Sequence, residues 1–220
     1  MTPDGAPATR RRPSLAHTAE YGALRATVAA LSALPLRAPA ALRERIGMLG
    51  YRPRAIRRRV VEKHVAAAFP DFGDAEVRRI AREAYAHLGR TTIETALMPT
   101  LSREAIVDLV TETPGWEEVE RAMAAGKGLI LVAGHLGNWE LGGAYLAARG
   151  VPIDVIVRRM ANPRFDRYLN ETRERIGMRV VYDDEAARRS PRSLPEGRAV
   201  AFLADQGVLG LASTFVPFFR

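Results

Sequence analysis

Apolar and polar positions alternate in short blocks along the second half of the chain. Apolar runs rich in Ile, Leu and Val are bounded by glycine, proline or charged residues, which is typical of buried strands. Longer segments with helical spacing of the apolar positions lie between them. The predicted strands are 128–133, 153–157, 178–182, 199–204 and 214–218. The predicted helices of this half are 138–149, 162–176 and 183–194, the last interrupted by Pro191.

Strands that alternate with helices in this way predict an α/β fold. We expect a mainly parallel sheet with helices on both faces and right-handed crossovers. The first half of the chain predicts helices instead, at 21–36, 54–69, 74–97, 102–110 and 116–125. We therefore divide the chain into a disordered basic tail (1–18), a helical membrane-associated region (19–112) and an α/β core (113–220).

Positive charge is concentrated at the amino-terminal end. Residues 1–64 carry 13 Arg or Lys against 4 Asp or Glu, a net charge of +9, whereas the whole chain has +8 and the rest therefore −1. This block predicts an anionic partner: membrane lipid, nucleic acid or an acidic protein. The apolar stretch 21–36 contains Arg25 and ends near Pro35, so it is too interrupted to span a bilayer. We expect an amphipathic helix in the membrane interface, and the alternative is an ordinary core helix with a solvated basic face.

The chain contains no cysteine. This composition excludes a disulfide framework, a cysteine nucleophile and a cysteine-ligated metal, and it is compatible with a reducing cytoplasmic setting.

The stretch GLILVAGHLGNWELGG, residues 128–143, carries the predicted chemistry. It is a strand that breaks into a glycine-flanked turn and continues as a helix, with Asn138 as its N-cap. His135 then lies at the carboxyl end of the strand and Glu140 in the first helical turn. Across such a turn Glu140 can hold one imidazole nitrogen while the other faces a substrate, as in a general base with an orienting partner. A structural histidine is the alternative.

Polar residues follow two further strands at the same end. Arg158 and Arg159 come after strand 153–157, and Asp205 and Gln206 come after strand 199–204. Ligands of parallel sheets bind beyond the carboxyl ends of the strands, so we expect a site there. Simple solvation of the strand ends is the alternative.

These motifs resemble the late acyltransferases of lipid A biosynthesis, within the glycerolipid acyltransferases that carry a His-x4-acid signature. The resemblance covers residues 20–220 and is densest from Gly128 onward. It is carried by HLGNWE, VRRMANP, ETRERIG and LADQG followed by STFVPFF, and by RRRVVEKHVAAAFPDF and HLGRT in the first half.

The resemblance implies roles for individual residues. His135 is expected to be the catalytic base and Glu140 the acid that orients it. The residues expected to support substrate binding or the active site are Asn138, Arg158, Arg173, Arg175 and Asp205.

The implied activity moves a fatty acyl chain from an acyl carrier protein or coenzyme A thioester to a hydroxyl of a lipid A precursor or related glycolipid. The expected location is the cytoplasmic face of the cell inner membrane, with an anionic membrane surface and the glycolipid acceptor as partners and no nucleic acid. No resident cofactor is expected. His135 and Glu140 lack a third ligand at useful spacing, so no metal is expected either.

Two alternatives stay open at this point. The chain could be an acyltransferase for another glycolipid such as a phosphatidylinositol mannoside, or an inactive membrane-surface binding module. Members of the family also continue past the VPFF stretch with further strands and helices, whereas this chain stops at Arg220. We therefore expect an acyltransferase core that is incomplete at its carboxyl end, with little activity on its own.

Overall fold

The computed structural model describes residues 14–32 and 57–206. The predicted strand 214–218 and most of the predicted basic tail lie outside the described residues.

A four-stranded parallel sheet forms the centre of the structure. Its strands are β1 (Leu129–Ala133), β2 (Ile153–Val157), β3 (Arg179–Tyr182) and β4 (Ala199–Leu203). Their order is β1-β4-β2-β3, so the last strand in sequence lies between the first two. The predicted α/β class with a parallel sheet is confirmed.

Eight α-helices occur among the described residues, close to the predicted positions. They are α1 (Leu15–Ser32), α2 (Arg58–Ala68), α3 (Asp74–Leu97), α4 (Arg103–Asp108), α5 (Trp116–Ala124), α6 (Trp139–Ala148), α7 (Pro163–Ile176) and α8 (Asp183–Ser193). A 3₁₀ turn, Met98–Thr100, follows α3. α8 runs to Ser193 and so includes Pro191, which was expected to interrupt it.

The main core lies on the sheet face that carries Leu131, Val155 and Ala201. α6 packs on this face, where a Cβ at Gly143 would lie 3.9 Å from Val155 Cγ1. α6 also contacts α4 and α7. The buried members of this core are Met98, Leu101, Ile106, Ala144, Tyr145, Ala147, Val151, Ile153, Ile176, Met178 and Ala199.

α8 covers the opposite face of the sheet. Asp154 precedes Val155 in β2 and therefore points to that face, where Ser193 of α8 donates to it at 2.6 Å. Coverage is thinner at the edge strand β1, whose Ile130 and Val132 side chains are 56% and 70% exposed.

Asp154 is a fully buried carboxylate at the amino end of the sheet. Arg179 Nε donates to it at 2.8 Å and Arg198 Nε at 2.6 Å, in addition to Ser193. Burial by itself would raise the pKa of Asp154, but these hydrogen bonds outweigh burial and hold the pKa below its ordinary value. The cluster joins β2, β3, α8 and the residue before β4.

α1 begins earlier than predicted, inside the segment that we expected to be a disordered tail. Ser14 explains the difference, because its Oγ accepts from the His17 backbone N–H at 3.1 Å and so provides an N-cap. None of the helices within 14–32 and 57–206 is long and apolar enough to cross a bilayer.

α1 packs against α7 and α3. Its Tyr21 ring makes edge contacts with Phe165 and Tyr168 of α7, at centroid distances of 6.3 and 6.0 Å. The buried Asn162 side chain donates to the His17 carbonyl at 3.0 Å and to Glu20 Oε2 at 2.9 Å. α1 therefore packs on the rest of the described structure.

Candidate active site

Two neighbouring strands end in register, and the residues that follow them meet. β1 and β4 are paired so that Ala133 lies opposite Leu203. The next residue continues the ladder, since Ala204 N–H donates to the Ala133 carbonyl at 2.9 Å. His135 and Asp205 each stand two residues beyond the last pair, which places them side by side at the carboxyl edge of the sheet.

Asp205 binds His135 through both of its carboxylate oxygens. Oδ2 accepts from the His135 backbone N–H at 2.7 Å, and Oδ1 lies 2.7 Å from the imidazole Nδ1. Burial by itself would raise the pKa of the Asp205 carboxyl, but the hydrogen bonds from the His135 ring and backbone outweigh it and lower the pKa. Asp205 is therefore held as a carboxylate, which fixes both the backbone and the ring of His135.

The contact also determines which ring nitrogen is available for chemistry. A carboxylate can only accept, so Nδ1 of a neutral imidazole carries the proton and Nε2 is left with a lone pair. The ring is further positioned by Trp139, whose centroid lies 4.7 Å away in an edge arrangement. The His135 side chain is 28% exposed, so a substrate hydroxyl can reach it. This is the arrangement of a general base with an orienting acid.

Among the described residues, the hydrogen bonds of Glu140 go to a side chain other than His135, which differs from the predicted pairing. Arg173 of α7 binds Glu140 instead, with Nε donating to Oε2 at 3.0 Å and Nη2 donating to Oε1. The reason is the position of Glu140 in the first turn of α6. Because α6 packs beside α7, the Glu140 carboxylate meets the arginine of α7. The structure thus joins Glu140 and Arg173 to each other.

Asn138 is confirmed as the N-cap of α6, since its Oδ1 accepts from Leu141 N–H at 3.0 Å. Its amide nitrogen donates to Glu94 Oε2 at 2.9 Å. Both ends of the side chain are therefore bound within the protein, and the expected substrate contact through Asn138 is not supported by this geometry.

The other two candidate arginines, Arg158 and Arg175, have their hydrogen-bond partners elsewhere in the described structure. Arg158 follows β2 and forms a surface ion pair with Asp183 at 3.1 Å, with 78% of its side chain exposed. Arg175 points to the turn after α3, where it donates to the Pro99 carbonyl. Arg175 is thus engaged in holding α7 to that turn.

Sequence reasoning missed the link from α3 to the loop that carries His135. Thr91 Oγ donates to the Gly137 carbonyl at 3.0 Å, next to the bond between Glu94 and Asn138. Thr91 and Glu94 are three residues apart on one helix face, but Arg90, Thr92 and Thr95 beside them are also polar, so no local pattern singled out these two.

Comparison with known proteins gives one family. A family model described as bacterial lipid A biosynthesis acyltransferase matches residues 8–220, nearly the whole chain. A comparison with individual curated proteins gave no significant match.

Proposed function

The chain belongs to the bacterial lipid A biosynthesis acyltransferase family, and from this premise we propose that it transfers a fatty acyl group from a thioester to a hydroxyl group of a lipid A precursor or a related glycolipid. The donor is the thioester of acyl carrier protein or of coenzyme A. Family membership supports the acyl transfer, and the finer choice of donor and acceptor is part of the proposal.

His135 acts as the general base in the proposed reaction. Nε2 takes the proton of the acceptor hydroxyl while the hydroxyl oxygen attacks the thioester carbonyl carbon. The C–S bond of the resulting tetrahedral intermediate then breaks, and the imidazolium returns its proton to the leaving thiolate. The products are the new ester and the free thiol of the donor. A positioned base of this kind raises the reaction rate by about 10²- to 10⁴-fold.

The observation that carries this role is the contact between Asp205 and His135 Nδ1. A carboxylate at that nitrogen favours the tautomer with a free Nε2 and stabilises the imidazolium that forms during proton transfer. Asp205, rather than Glu140, is therefore the orienting acid of the proposed mechanism. Glu140 contributes indirectly, by joining the start of α6 to α7 through Arg173.

We keep Arg158 as a candidate contact for an anionic part of a substrate. Its guanidinium is largely exposed at the carboxyl edge of the sheet, and a surface ion pair such as that with Asp183 contributes only about 0–1 kcal/mol. It can therefore exchange Asp183 for a phosphate of the acceptor or a carboxylate of a carrier protein at low cost.

We also propose that the protein works at the cytoplasmic face of the inner membrane. A lipid acceptor requires access to a membrane, and the net charge of +9 in residues 1–64 supports attraction to an anionic surface.

The test incubates the protein with a lipid A precursor and acyl carrier protein or coenzyme A thioesters, and follows the glycolipid by mass spectrometry. We expect a product heavier by one acyl chain together with one released thiol per transfer. His135→Ala should abolish both signals while circular dichroism shows the fold unchanged. Transfer at the wild-type rate by a folded His135→Ala protein contradicts the proposed role.

A further inference from the structure

The loop that carries His135 has few apolar contacts of its own. Leu136, the next residue, is 83% exposed, and Gly137 has a left-handed backbone with φ of 57°. On one side the loop is fixed by Asp205, to which the His135 backbone donates. Asp205 holds the loop at His135, and the residues that follow, Leu136 to Asn138, lead away from that contact and need an attachment of their own.

The long helix α3 supplies that second attachment. Thr91 Oγ donates to the Gly137 carbonyl at 3.0 Å, and Glu94 accepts from Asn138 Nδ2 at 2.9 Å. Thr91 and Glu94 are three residues apart, so they lie on the same face of the helix. Two successive residues of the loop, directly after His135 and Leu136, are thus bound by one rigid element.

The hydroxyl of Thr91 is used differently from that of its neighbour. Thr92 donates to the Leu88 carbonyl of its own helix at 2.7 Å, which is the common local bond of a helical threonine. Thr91 is buried, and its hydroxyl reaches out of the helix to the loop 46 residues later in sequence. The two adjacent threonines therefore form a matched pair for experiment.

Glu94 fixes the orientation of the Asn138 amide. An amide has one accepting and one donating end, and a carboxylate can only accept. With its nitrogen turned to Glu94, Asn138 must present Oδ1 to Leu141 N–H and cap α6. Glu94 thus acts on the loop through the cap of the helix that follows it.

We propose that Thr91 and Glu94 are positioning residues for His135, which hold its loop from α3 while Asp205 holds it from β4. The inference rests on the proposed function insofar as it concerns acyl transfer. Small displacements of a catalytic group lower rate strongly, because effective concentration depends on a near-attack geometry.

The experiment compares Thr91→Val and Glu94→Leu with Thr91→Ser, Glu94→Gln and Thr92→Val in the full chain. Valine keeps the volume of threonine but cannot donate, and leucine cannot accept from Asn138. Serine and glutamine keep a donor and an acceptor, respectively. Thr92→Val removes a hydroxyl that donates to a carbonyl of its own helix.

We expect Thr91→Val and Glu94→Leu to lower kcat about tenfold, with KM changed by less than about twofold, because the base is displaced while substrate contacts remain. Thr91→Ser and Glu94→Gln should restore most of the rate, and Thr92→Val should match wild type. A similar loss in Thr92→Val, or no rescue by the conservative variants, would contradict the proposal, because the losses would then not arise from these two hydrogen bonds.

Hydrogen exchange gives a readout that does not depend on activity. The backbone amides of His135 and Leu141, bound by Asp205 and Asn138, should exchange about tenfold faster in Thr91→Val and Glu94→Leu than in wild type. Unchanged exchange, or an unchanged kcat, overturns the positioning proposal. If the wild type transfers no acyl group but exchange is still faster in the two variants, the proposed function is overturned. The attachment of the loop to α3 is then established nonetheless.

Discussion

Glu140 and Arg173 form a largely buried ion pair, with side chains 14% and 12% exposed. Arg173 also donates to Asn170 Oδ1 at 2.7 Å, so its guanidinium is held on two sides. Removing one partner of such a pair leaves the other charge with little water, which costs about 3–5 kcal/mol when burial is complete. The pair therefore stabilises the junction of α6 and α7 next to the His135 loop.

A double-mutant cycle tests this junction. We expect Glu140→Gln and Arg173→Met each to lower the free energy of unfolding by about 3 kcal/mol, and the double variant to lose about 1–3 kcal/mol less than the sum. Arg158→Met is the control, because its exposed pair with Asp183 contributes about 0–1 kcal/mol. Urea denaturation gives the values, and strictly additive losses contradict the account.

At the residue scale, the sequence predicted His135 as a candidate base but did not predict its contact with Asp205. The glycine-flanked His135 after an apolar strand is a local pattern, and so it is visible in the sequence. The contact with Asp205 joins residues 70 apart. It depends on β4 lying beside β1, which no local pattern specifies.

Among the elements, strand and helix positions follow closely from the apolar runs. β2 has the predicted bounds, α6 begins directly after the predicted cap Asn138, and α7 begins one residue after its predicted start at Asn162. The strand order β1-β4-β2-β3 could not be read in this way, because a long crossover permits β4 to join either edge or the middle. The prediction of a helix in the membrane interface also did not include the packing of α1 on α7.

Asp154 gives a prediction at the scale of elements, since it joins β2, β3 and α8. Its pKa is lower in the folded protein than its ordinary value. The carboxylate therefore stabilises the fold above about pH 4, which is the pKa of an Asp side chain in an unfolded chain. This contribution is lost as pH falls through the lower pKa of Asp154 in the folded protein. We expect Asp154→Asn to cost about 3 kcal/mol at pH 7.

The cost of Asp154→Asn should shrink as pH is lowered from 5 to 3, because the wild type loses the same contribution on protonation. Denaturation at several pH values measures this difference. Asp74→Asn serves as the control, since the Asp74 side chain is 94% exposed and should give a difference near zero throughout. A pH-independent cost for Asp154→Asn shows that packing, rather than its charge, is responsible.

At the scale of the whole molecule, the basic charge and the sheet site lie in different parts of the chain. Residues 1–64 have a net charge of +9, and the remainder is nearly neutral. α1, in the basic part, packs on α7, whose preceding loop begins at the carboxyl edge of the sheet. Attraction of the basic part to a membrane would thus bring the site near that surface.

We expect the protein to bind vesicles that contain anionic lipid, and to release them as salt rises, since each basic residue near the surface contributes about 1 kcal/mol. Replacing Arg10, Arg11 and Arg12 by serine should weaken binding measurably in a sedimentation assay. Zwitterionic vesicles and duplex DNA are the comparison partners. Equal binding to neutral vesicles, or preference for DNA, contradicts the proposed membrane attraction.

The most direct test of the central claim, that Asp205 orients His135 as the base for acyl transfer, is the transfer rate of Asp205→Asn. The asparagine oxygen can still accept from the His135 backbone, but its amide nitrogen then faces Nδ1 and favours the tautomer with the proton on Nε2. In serine proteases the equivalent change lowers kcat about 10⁴-fold. We predict a loss of about 10³- to 10⁴-fold in a folded protein, and transfer at the wild-type rate would contradict the account.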